Sequence, residues 1–290
     1  MMQIPPAWKK LRKGSPEELC TLLAELDSAG LFLAPGETVE QFADRLAVLH
    51  KELTSLRNKS SEFSELIAQA PPVSRVLYRK AGRLTWKQYR FRADWVPSWY
   101  SSRQTGFFSA GVQLGVDDRL PLLFLHGGFI RKHRRLGYNA GETLAHEMVH
   151  AVRIAFPPSA YEEYFPCRIN RIRFRKIAGN LFRRWELPAL FFCGLAAVPV
   201  LAVTECPYWY LPLILPLVIV LREMVLLRRL GRAAGNLQQA GFDARPLLLR
   251  LSDREIFELA ALAPEKIQMK RNESIRWNML LQKFCLKHTR

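Results

Sequence analysis

Two long apolar runs constrain the fold of this chain more than any other feature of its sequence. Leu187 to Val203 and Cys206 to Leu221 contain no charged residue, and only two residues separate them. A helix needs about 20 residues to span a bilayer, and the flanking residues bring each run near that length. The sequence therefore predicts a hairpin of two transmembrane helices over residues 185–227. A buried hairpin of a soluble domain and a shallow re-entrant insertion are the alternatives.

The charge around these runs predicts their orientation. Seven basic residues and no acidic one lie between Arg168 and Arg184, whereas the turn of the hairpin carries only Glu205. Basic residues accumulate on the cytoplasmic side of a membrane. We therefore expect both termini, and the domain before the hairpin, to be cytoplasmic. The formal net charge of +17 predicts attraction to anionic lipid headgroups. We do not expect nucleic acid as a partner, because the chain has no recognised nucleic-acid motif.

A second feature is the segment His146-Glu147-Met148-Val149-His150, which has the pattern H-E-x-x-H. Asn139 as N-cap and Pro157-Pro158 as a stop predict a helix around it. Positions four apart lie on one face of a helix, so both imidazoles can reach one metal ion. The glutamate between them can hold a water bound to that metal. The alternative is a surface helix with two solvated histidines, which fits poorly with the apolar neighbours of the motif.

The third ligand is less well defined by the sequence. A catalytic zinc takes three protein ligands and keeps one position open for water. Glu162 and Glu163 follow the Pro-Pro stop, and adjacent helical residues point about 100° apart, so one of the two should ligate. Glu162 lies on an apolar helical stripe with Phe165, three positions later. We therefore expect Glu162, with Glu163 as the alternative. His126 and His133 are further candidates that ordinary loop positions also explain.

The motif with its downstream glutamate resembles the zincin metallopeptidases, and specifically their gluzincin branch. The resemblance covers the residues from Tyr138 to Cys167, and the extended pattern H-E-M-V-H-A-V-R followed by Y-E-E also looks like a group of bacterial membrane-anchored metallopeptidases. It implies His146 and His150 as Zn²⁺ ligands, Glu147 as general base and a carboxylate as third ligand. The spacing from His150 to the acidic pair is short for gluzincins.

The remaining segments complete an α+β prediction. Apolar periodicity predicts a helical N-terminal region over residues 1–70 and a helical cytoplasmic tail over residues 228–290. Residues 71–184 between them form the predicted zincin-like catalytic domain, a small sheet followed by the active-site helix. The resemblance implies that Pro121 to His126 is the edge strand that lines the substrate cleft. The predicted strands are Val76 to Tyr78, Trp86 to Arg92, Phe107 to Leu114 and Leu120 to His126.

The cysteines give no sign of a second site. They are scattered, and no C-x-x-C pair occurs among Cys20, Cys167, Cys193, Cys206 and Cys285. This spacing favours a reducing compartment over a disulfide framework, and it argues against a structural zinc site.

Together these features predict a membrane-anchored, zinc-dependent peptidase that hydrolyses a polypeptide with a zinc-activated water. Glu147 is the expected general base. Tyr161 or Tyr164 is a candidate to stabilise the transition state by a hydrogen bond, and packing is the alternative role of both. The alternative function is a membrane-anchored interaction or scaffold protein whose zinc site is structural or degenerate. The sequence does not indicate the oligomeric state.

Overall fold

The computed structural model of the chain describes residues 3–58, 60, 63–106, 109–116, 120–135, 137–172, 174, 176, 179, 186–205 and 207–286. It is mostly helical and contains a small sheet, so the predicted α+β class is confirmed.

The helices of the described residues are α1 (Pro16–Ser28), α2 (Val39–Arg57), α3 (Ser64–Ile67), α4 (Arg75–Tyr89), α5 (Ser102–Thr105), α6 (Ala140–Val152), α7 (Tyr164–Cys167), α8 (Glu186–Val203), α9 (Ile214–Gln239), α10 (Ala244–Leu249), α11 (Asp253–Ala261), α12 (Pro264–Ile267) and α13 (Ile275–Lys283). Short 3-10 helices cover Pro6–Lys10, Gly127–Ile130, Leu211–Leu213 and Gln268–Asn272. The strands are β1 (Ser98–Tyr100), β2 (Gly111–Val116), β3 (Leu120–Leu125), β4 (Arg134–Arg135) and β5 (Tyr138–Asn139).

Capping residues fix where several helices begin. Ser15 opens α1 in a capping box with Glu18, and Ser252 opens α11 in a capping box with Glu255. In each box the serine accepts from a backbone N–H, and the glutamate accepts from the backbone N–H of the serine. The extended backbone of Ser252 separates α11 from α10, which ends at Leu249.

The sheet places β3 between its two partners. β1 pairs with β3 in parallel and β2 pairs with it antiparallel, so Trp99 and Val112 both lie opposite Phe124. Every residue of β3 is buried, as expected of a continuous apolar strand with neighbours on both sides. The predicted strand is confirmed over Leu120–Leu125. The implied assignment of Pro121 to His126 as the edge strand is wrong, because β3 is central and β2 is the edge strand beside the cavity described below. Phe107, the first residue of the third predicted strand, lies outside the described residues.

Two predicted strands are helical in the structure. Val76 to Tyr78 and Trp86 to Tyr89 both belong to α4, which Ser74 caps. The buried residues of this helix recur every three or four positions, whereas a half-buried strand would bury every second one. The aromatic content of the segment had suggested strands, but the pattern of burial is helical.

One hydrophobic core joins the regions that flank the apolar runs. The buried cluster extends from Ile4 near the N-terminus, through the sheet and α6, to Phe284 in the C-terminal segment. Residues 1–70, 71–184 and 228–290 therefore contribute to the same core.

A buried ion pair connects the two ends of this core. Arg250 is 1% exposed, and it donates from Nε and Nη2 to the two carboxylate oxygens of Asp27 at 2.7 and 2.9 Å. Its Nη1 donates to the carbonyl oxygens of Tyr89 and Pro246. Lys283 adds a second cation at 2.5 Å from Asp27. The pair thus links α1, the end of α4, α10 and α13.

The apolar runs are arranged differently from the prediction. The helix α8 is long and apolar enough to cross a membrane, and almost none of it is buried. The second run forms a turn and a 3-10 helix before it enters α9, which continues past Leu221 into charged sequence. A second spanning helix is therefore not confirmed among the residues that the structure covers. Residue 185 and Cys206, at the starts of the predicted hairpin and its second run, lie outside them.

The two apolar segments nevertheless contact each other closely. A Cβ atom on Gly194 of α8 would lie 2.9 Å from the carbonyl oxygen of Pro212 and 2.9 Å from the ring of Pro216. Only glycine at position 194 allows the backbone of α8 to come this close to Pro212 and Pro216. Around the contact, the outward-facing residues of both segments are apolar and exposed, including Phe192, Val200, Trp209, Leu217 and Val218.

Replacing Asp27 by asparagine should destabilise the protein by about 3–5 kcal/mol at pH 7, because the Arg250 charge would stay buried without its partner. Burial raises the pKa of Asp27, but Arg250 and Lys283 outweigh burial and hold the pKa below its usual value. A lowered native pKa gives stability that is complete above the unfolded pKa of about 3.9 and is lost as the pH falls through the native value. The difference between Asp27→Asn and wild type should therefore shrink in acid.

Urea denaturation of the detergent-purified proteins at several pH values measures this difference. Asp44→Asn is the matched control, because Asp44 forms an exposed pair with Arg12 and should change stability by less than about 1 kcal/mol. Equal effects of the two substitutions would contradict the role assigned to the buried pair.

Candidate metal centre

The helix α6 presents the H-E-x-x-H motif as predicted. The side chain of Asn139 accepts from the N–H groups of Gly141 and Glu142, at 2.9 and 3.4 Å, and so caps the helix. Four residues separate His146 and His150, and their ring centroids lie 5.1 Å apart. Both rings are thus on one face of the helix and point into the same space.

The carboxylate of Glu163 lies between these two imidazoles. Its Oε2 is 3.4 Å from Nε2 of His146, and its Oε1 is 3.3 Å from Nε2 of His150. Glu162, which the sequence favoured, is exposed. The structure brings the alternative, Glu163, to the imidazoles instead, because residues 160–163 form a turn and α7 begins only at Tyr164. The helical stripe that assigned Glu162 to the inner face therefore does not reach it.

Long-range hydrogen bonds hold the turn that carries Glu163. The carboxylate of Asp253 in α11 accepts from the hydroxyl of Ser159 and from the N–H of Ala160, both at 2.6 Å. The hydroxyl of Tyr89 donates to the carbonyl oxygen of Phe165 at 2.6 Å. Contacts with α4 and α11 thus fix the position of Glu163, the candidate third ligand.

The two tyrosines beside this turn have structural contacts. Tyr161 is fully buried, and its hydroxyl donates to the carbonyl oxygen of Leu226 at 2.8 Å. The ring of Tyr164 contacts Phe165 and the guanidinium of Arg168. Neither tyrosine lines the cavity at the histidines, so their contacts support the packing alternative. The tyrosine that does line this cavity is Tyr138, which the sequence did not single out.

The other histidine candidates lie away from the centre. Nδ1 of His126 accepts from the N–H of Gly128 at 2.9 Å, and His133 is exposed beside the β4–β5 hairpin. Neither lines the cavity that contains the motif. Arg153, one turn beyond His150, donates to the carbonyl oxygens of Leu249 and Leu251.

The donor set fits a zinc ion. Tetrahedral zinc with bonds of roughly 2.0–2.1 Å to nitrogen and oxygen holds neighbouring ligand atoms roughly 3.4 Å apart. The two distances from the Glu163 oxygens to the imidazole nitrogens are 3.4 and 3.3 Å. Two imidazoles and one carboxylate are also a ligand set of catalytic zinc. The carboxylate of Glu163 therefore lies at the separation of zinc ligands from each of the two imidazole nitrogens.

Without a metal, the same side chains form an ion pair. Burial lowers the pKa of His146, but its contacts with Cys167 and Glu163 outweigh burial and raise the pKa to about 9. Burial likewise opposes the charge of His150, and Glu163 raises its pKa above the usual value. Burial raises the pKa of Glu163, and the two imidazoles reverse this and hold it well below its usual range. The contact with Glu163 thus favours a proton on each imidazole.

The general-base candidate Glu147 lies against the edge strand of the sheet. It is buried, and burial raises the pKa of its carboxyl group. A Cβ atom on Gly111 of β2 would lie 2.9 Å from its Oε1 and 2.8 Å from Cγ2 of Thr143. A side chain at position 111 would therefore displace Glu147. Sequence reasoning missed Gly111 because the close approach joins a strand and a helix that are distant along the chain.

A cavity of about 1290 Å³ contains this centre. One wall is the segment Ser109–Gln113 with Gly115, which includes most of β2. The motif face of α6 and residues 156–159 form other walls, and Phe174 and Gly179 close one side. Cavities for small ligands are about 300–1,000 Å³, so this one is large enough for an extended peptide segment.

Cys167 also belongs to the centre, although we did not predict a cysteine there. Its Sγ lies 3.8 Å from Oε2 of Glu163, and ligand atoms of His146, Glu163 and Cys167 all lie within 4.8 Å of one another. The signal was available, because Glu163 and Cys167 are four residues apart, like His146 and His150. It was missed because Glu163 was not the preferred ligand.

Zinc binding should release at least one proton at pH 7. A pKa of about 9 leaves His146 protonated at that pH, whereas metal ligation requires neutral imidazole. The apparent affinity for zinc should therefore rise about tenfold per pH unit for each proton released, and fall as the pH is lowered. Calorimetric titration in two buffers of different protonation enthalpy counts the protons. Glu162→Gln should leave the count unchanged, and binding that is independent of pH from 6 to 8 would contradict the ion pair.

Comparison of the chain with protein-family models, with curated proteins and with solved structures gives no match. What the protein does is therefore inferred below from the geometry of this centre and from its surroundings.

Proposed function

We propose that the protein is a membrane-anchored, zinc-dependent peptidase. The observation that carries the proposal is the carboxylate of Glu163, which lies between His146 and His150 at the separations expected of zinc ligands. Glu147 lines the same cavity, one residue along α6 from the first histidine. This combination of two imidazoles, one carboxylate and a separate glutamate is what metal-assisted peptide hydrolysis requires.

Each side chain of the centre has a distinct role in the proposed reaction. A bound zinc would lower the pKa of water and polarise the scissile carbonyl group. Glu147 accepts the proton of the attacking water and passes it to the leaving amine. Burial raises the pKa of Glu147, which brings this carboxyl group nearer to the operating pH and suits it to both transfers. The turn bonded to Asp253 keeps Glu163 in place during the reaction.

The shape of the cavity favours an extended polypeptide as substrate. The edge strand β2 lines one wall and pairs on its other side with β3. Extended peptides bind to such edges by adding a strand, with main-chain hydrogen bonds that do not depend on sequence. Gly111 and Gly115 of β2 lie in this wall, so backbone is accessible there with little side-chain obstruction.

The exposed apolar residues of α8 and of the segment from Pro207 to Leu221 form what we call the apolar projection, and this is the proposed membrane anchor. The 18 residues of α8 form a helix about 27 Å long, close to the hydrocarbon thickness of about 30 Å. We infer that the start of α9 enters the bilayer with α8, because both expose apolar side chains around the Gly194 contact. Trp209 and its tyrosine neighbours are suited to the far interface. Arg222 and the arginines after it would then remain with both termini on the cytoplasmic side, where anionic headgroups attract them.

A structural or degenerate zinc site in an interaction protein is the second candidate. The observation that favours it is Cys167, because a fourth protein ligand would leave no open position on the metal.

Variants of the four acidic and basic positions test the peptidase directly. Glu147→Gln should reduce cleavage of a proteome-derived peptide library by about 10²–10⁴-fold or more, because it removes the general base. It should retain about one zinc per chain. Glu163→Ala and His150→Ala should lose the zinc, whereas the matched control Glu162→Ala should keep both zinc and activity. Mass spectrometry of the peptides and elemental analysis give the two readouts. Full activity of Glu147→Gln would refute the mechanism.

Labelling of single cysteines tests the two-span arrangement. In proteoliposomes, Glu205→Cys in the hairpin turn should react with a membrane-impermeant maleimide from the side opposite to Glu40→Cys, an exposed position in α2. The reason is that two crossings put the turn and the rest of the protein on different sides. Reaction of both from the same side would instead indicate an insertion that does not cross the bilayer.

A further inference from the structure

The side chain of Cys167 is turned into the candidate metal centre. It is the last residue of α7, it is buried, and it lines the cavity with the two histidines. Its Sγ lies 3.8 Å from Oε2 of Glu163. The other described cysteines, Cys20, Cys193 and Cys285, do not line this cavity.

Two pairs of donors with the same spacing meet at this point. His146 and His150 are four residues apart on α6, and Glu163, the N-cap of α7, is four residues from Cys167, the last residue of that helix. Side chains four residues apart lie one above the other on a helical face. The two faces are in contact here, since the carboxylate of Glu163 reaches both imidazoles. The centre therefore contains four side chains of ligating type rather than three.

The position of the sulfur fits a tetrahedral ion. With bonds of roughly 2.3 Å to sulfur and 2.0–2.1 Å to oxygen, tetrahedral zinc holds a thiolate and a carboxylate oxygen roughly 3.6 Å apart. The observed distance between Sγ of Cys167 and Oε2 of Glu163 is 3.8 Å. The ligand atoms of His146, Glu163 and Cys167 fall within 4.8 Å of one another, so one ion can contact all three.

We propose that Cys167 is a fourth protein ligand of this centre and lowers, without abolishing, its peptidase activity. The proposal rests on the zinc site of the proposed function. With Cys167 bound, the position that the attacking water needs is taken by Sγ, as in closed structural sites. Hydrolysis then requires the thiolate to leave the metal. Removing the thiol should consequently raise peptidase activity, because the remaining ligands, His146, His150 and Glu163, form an open site.

A role for Cys167 without a metal bond gives different expectations. In that case the thiol donates a weak hydrogen bond to Glu163, and its loss changes neither the ligands of the metal nor the open position. Absorption spectroscopy separates the two cases, because a thiolate bound to Co²⁺ gives a charge-transfer band in the near ultraviolet that nitrogen and oxygen ligands do not give.

The experiment loads Co²⁺ into the full-length protein in detergent and records its absorption spectrum. Wild type should show the sulfur-to-cobalt band. Cys167→Ala should keep about one cobalt per chain, which is the stoichiometry of a single site, and should lose the band. Cys285→Ala, which changes an exposed cysteine far from the cavity, is the matched control and should keep it. X-ray absorption of the zinc protein should likewise show a sulfur at about 2.3 Å in wild type only.

Each outcome tests either the fourth ligand or the zinc site itself. A band that is present in wild type and Cys285→Ala, and absent in Cys167→Ala, supports the fourth ligand. Cobalt that binds wild type without the band overturns the fourth ligand and leaves the zinc site intact. A wild type that binds no cobalt and no zinc overturns both. The wild-type spectrum tests the fourth ligand without any variant. If Cys167→Ala does not fold, Cys167→Ser is the second variant without a thiol.

Discussion

The packing of the N-terminal and C-terminal helices of this protein depends on the buried ion pair between Arg250 and Asp27. A charge removed from water must be matched by partners, and Arg250 has the carboxylate of Asp27, two carbonyl oxygens and the faces of Phe32 and Phe284. These contacts fix α10 against the N-terminal helices. Three residues later, Asp253 binds the turn that leads to Glu163. The turn that carries Glu163 is therefore connected to this buried ion pair through α10 and the start of α11.

The parts of the site that the sequence predicted are those determined within one helix. The spacing of His146, Glu147 and His150, and the capping of α6 by Asn139, are local, so periodicity and side-chain chemistry were sufficient. The choice between Glu162 and Glu163 was not local, because hydrogen bonds to distant helices hold the turn that precedes α7. The same reason applies to the fold. The apolar run of β3 identified a buried strand, but its central position depends on which strands pair with it.

The candidate centre and the proposed anchor are connected through a short path of direct contacts. The hydroxyl of Tyr161 donates to a carbonyl oxygen of α9, and Glu163 follows two residues later. The same helix begins within the exposed apolar projection. A movement of α9 in the bilayer would thus reach the turn that carries an inner ligand without passing through a flexible linker. This contact also explains why a fully buried tyrosine precedes the acidic pair.

The hydrogen bonds that Ser159 and Ala160 donate to Asp253 span more than 90 positions of the chain. During synthesis, the apolar segments of α8 and α9 leave the ribosome before Asp253 does. The histidine helix can form early, since its contacts are local, whereas the hydrogen bonds to Asp253 require α11. A chain interrupted before α11 would therefore keep the histidine motif and the contact from Tyr89 to Phe165, but would lack the bonds from Ser159 and Ala160 that hold the turn before Glu163.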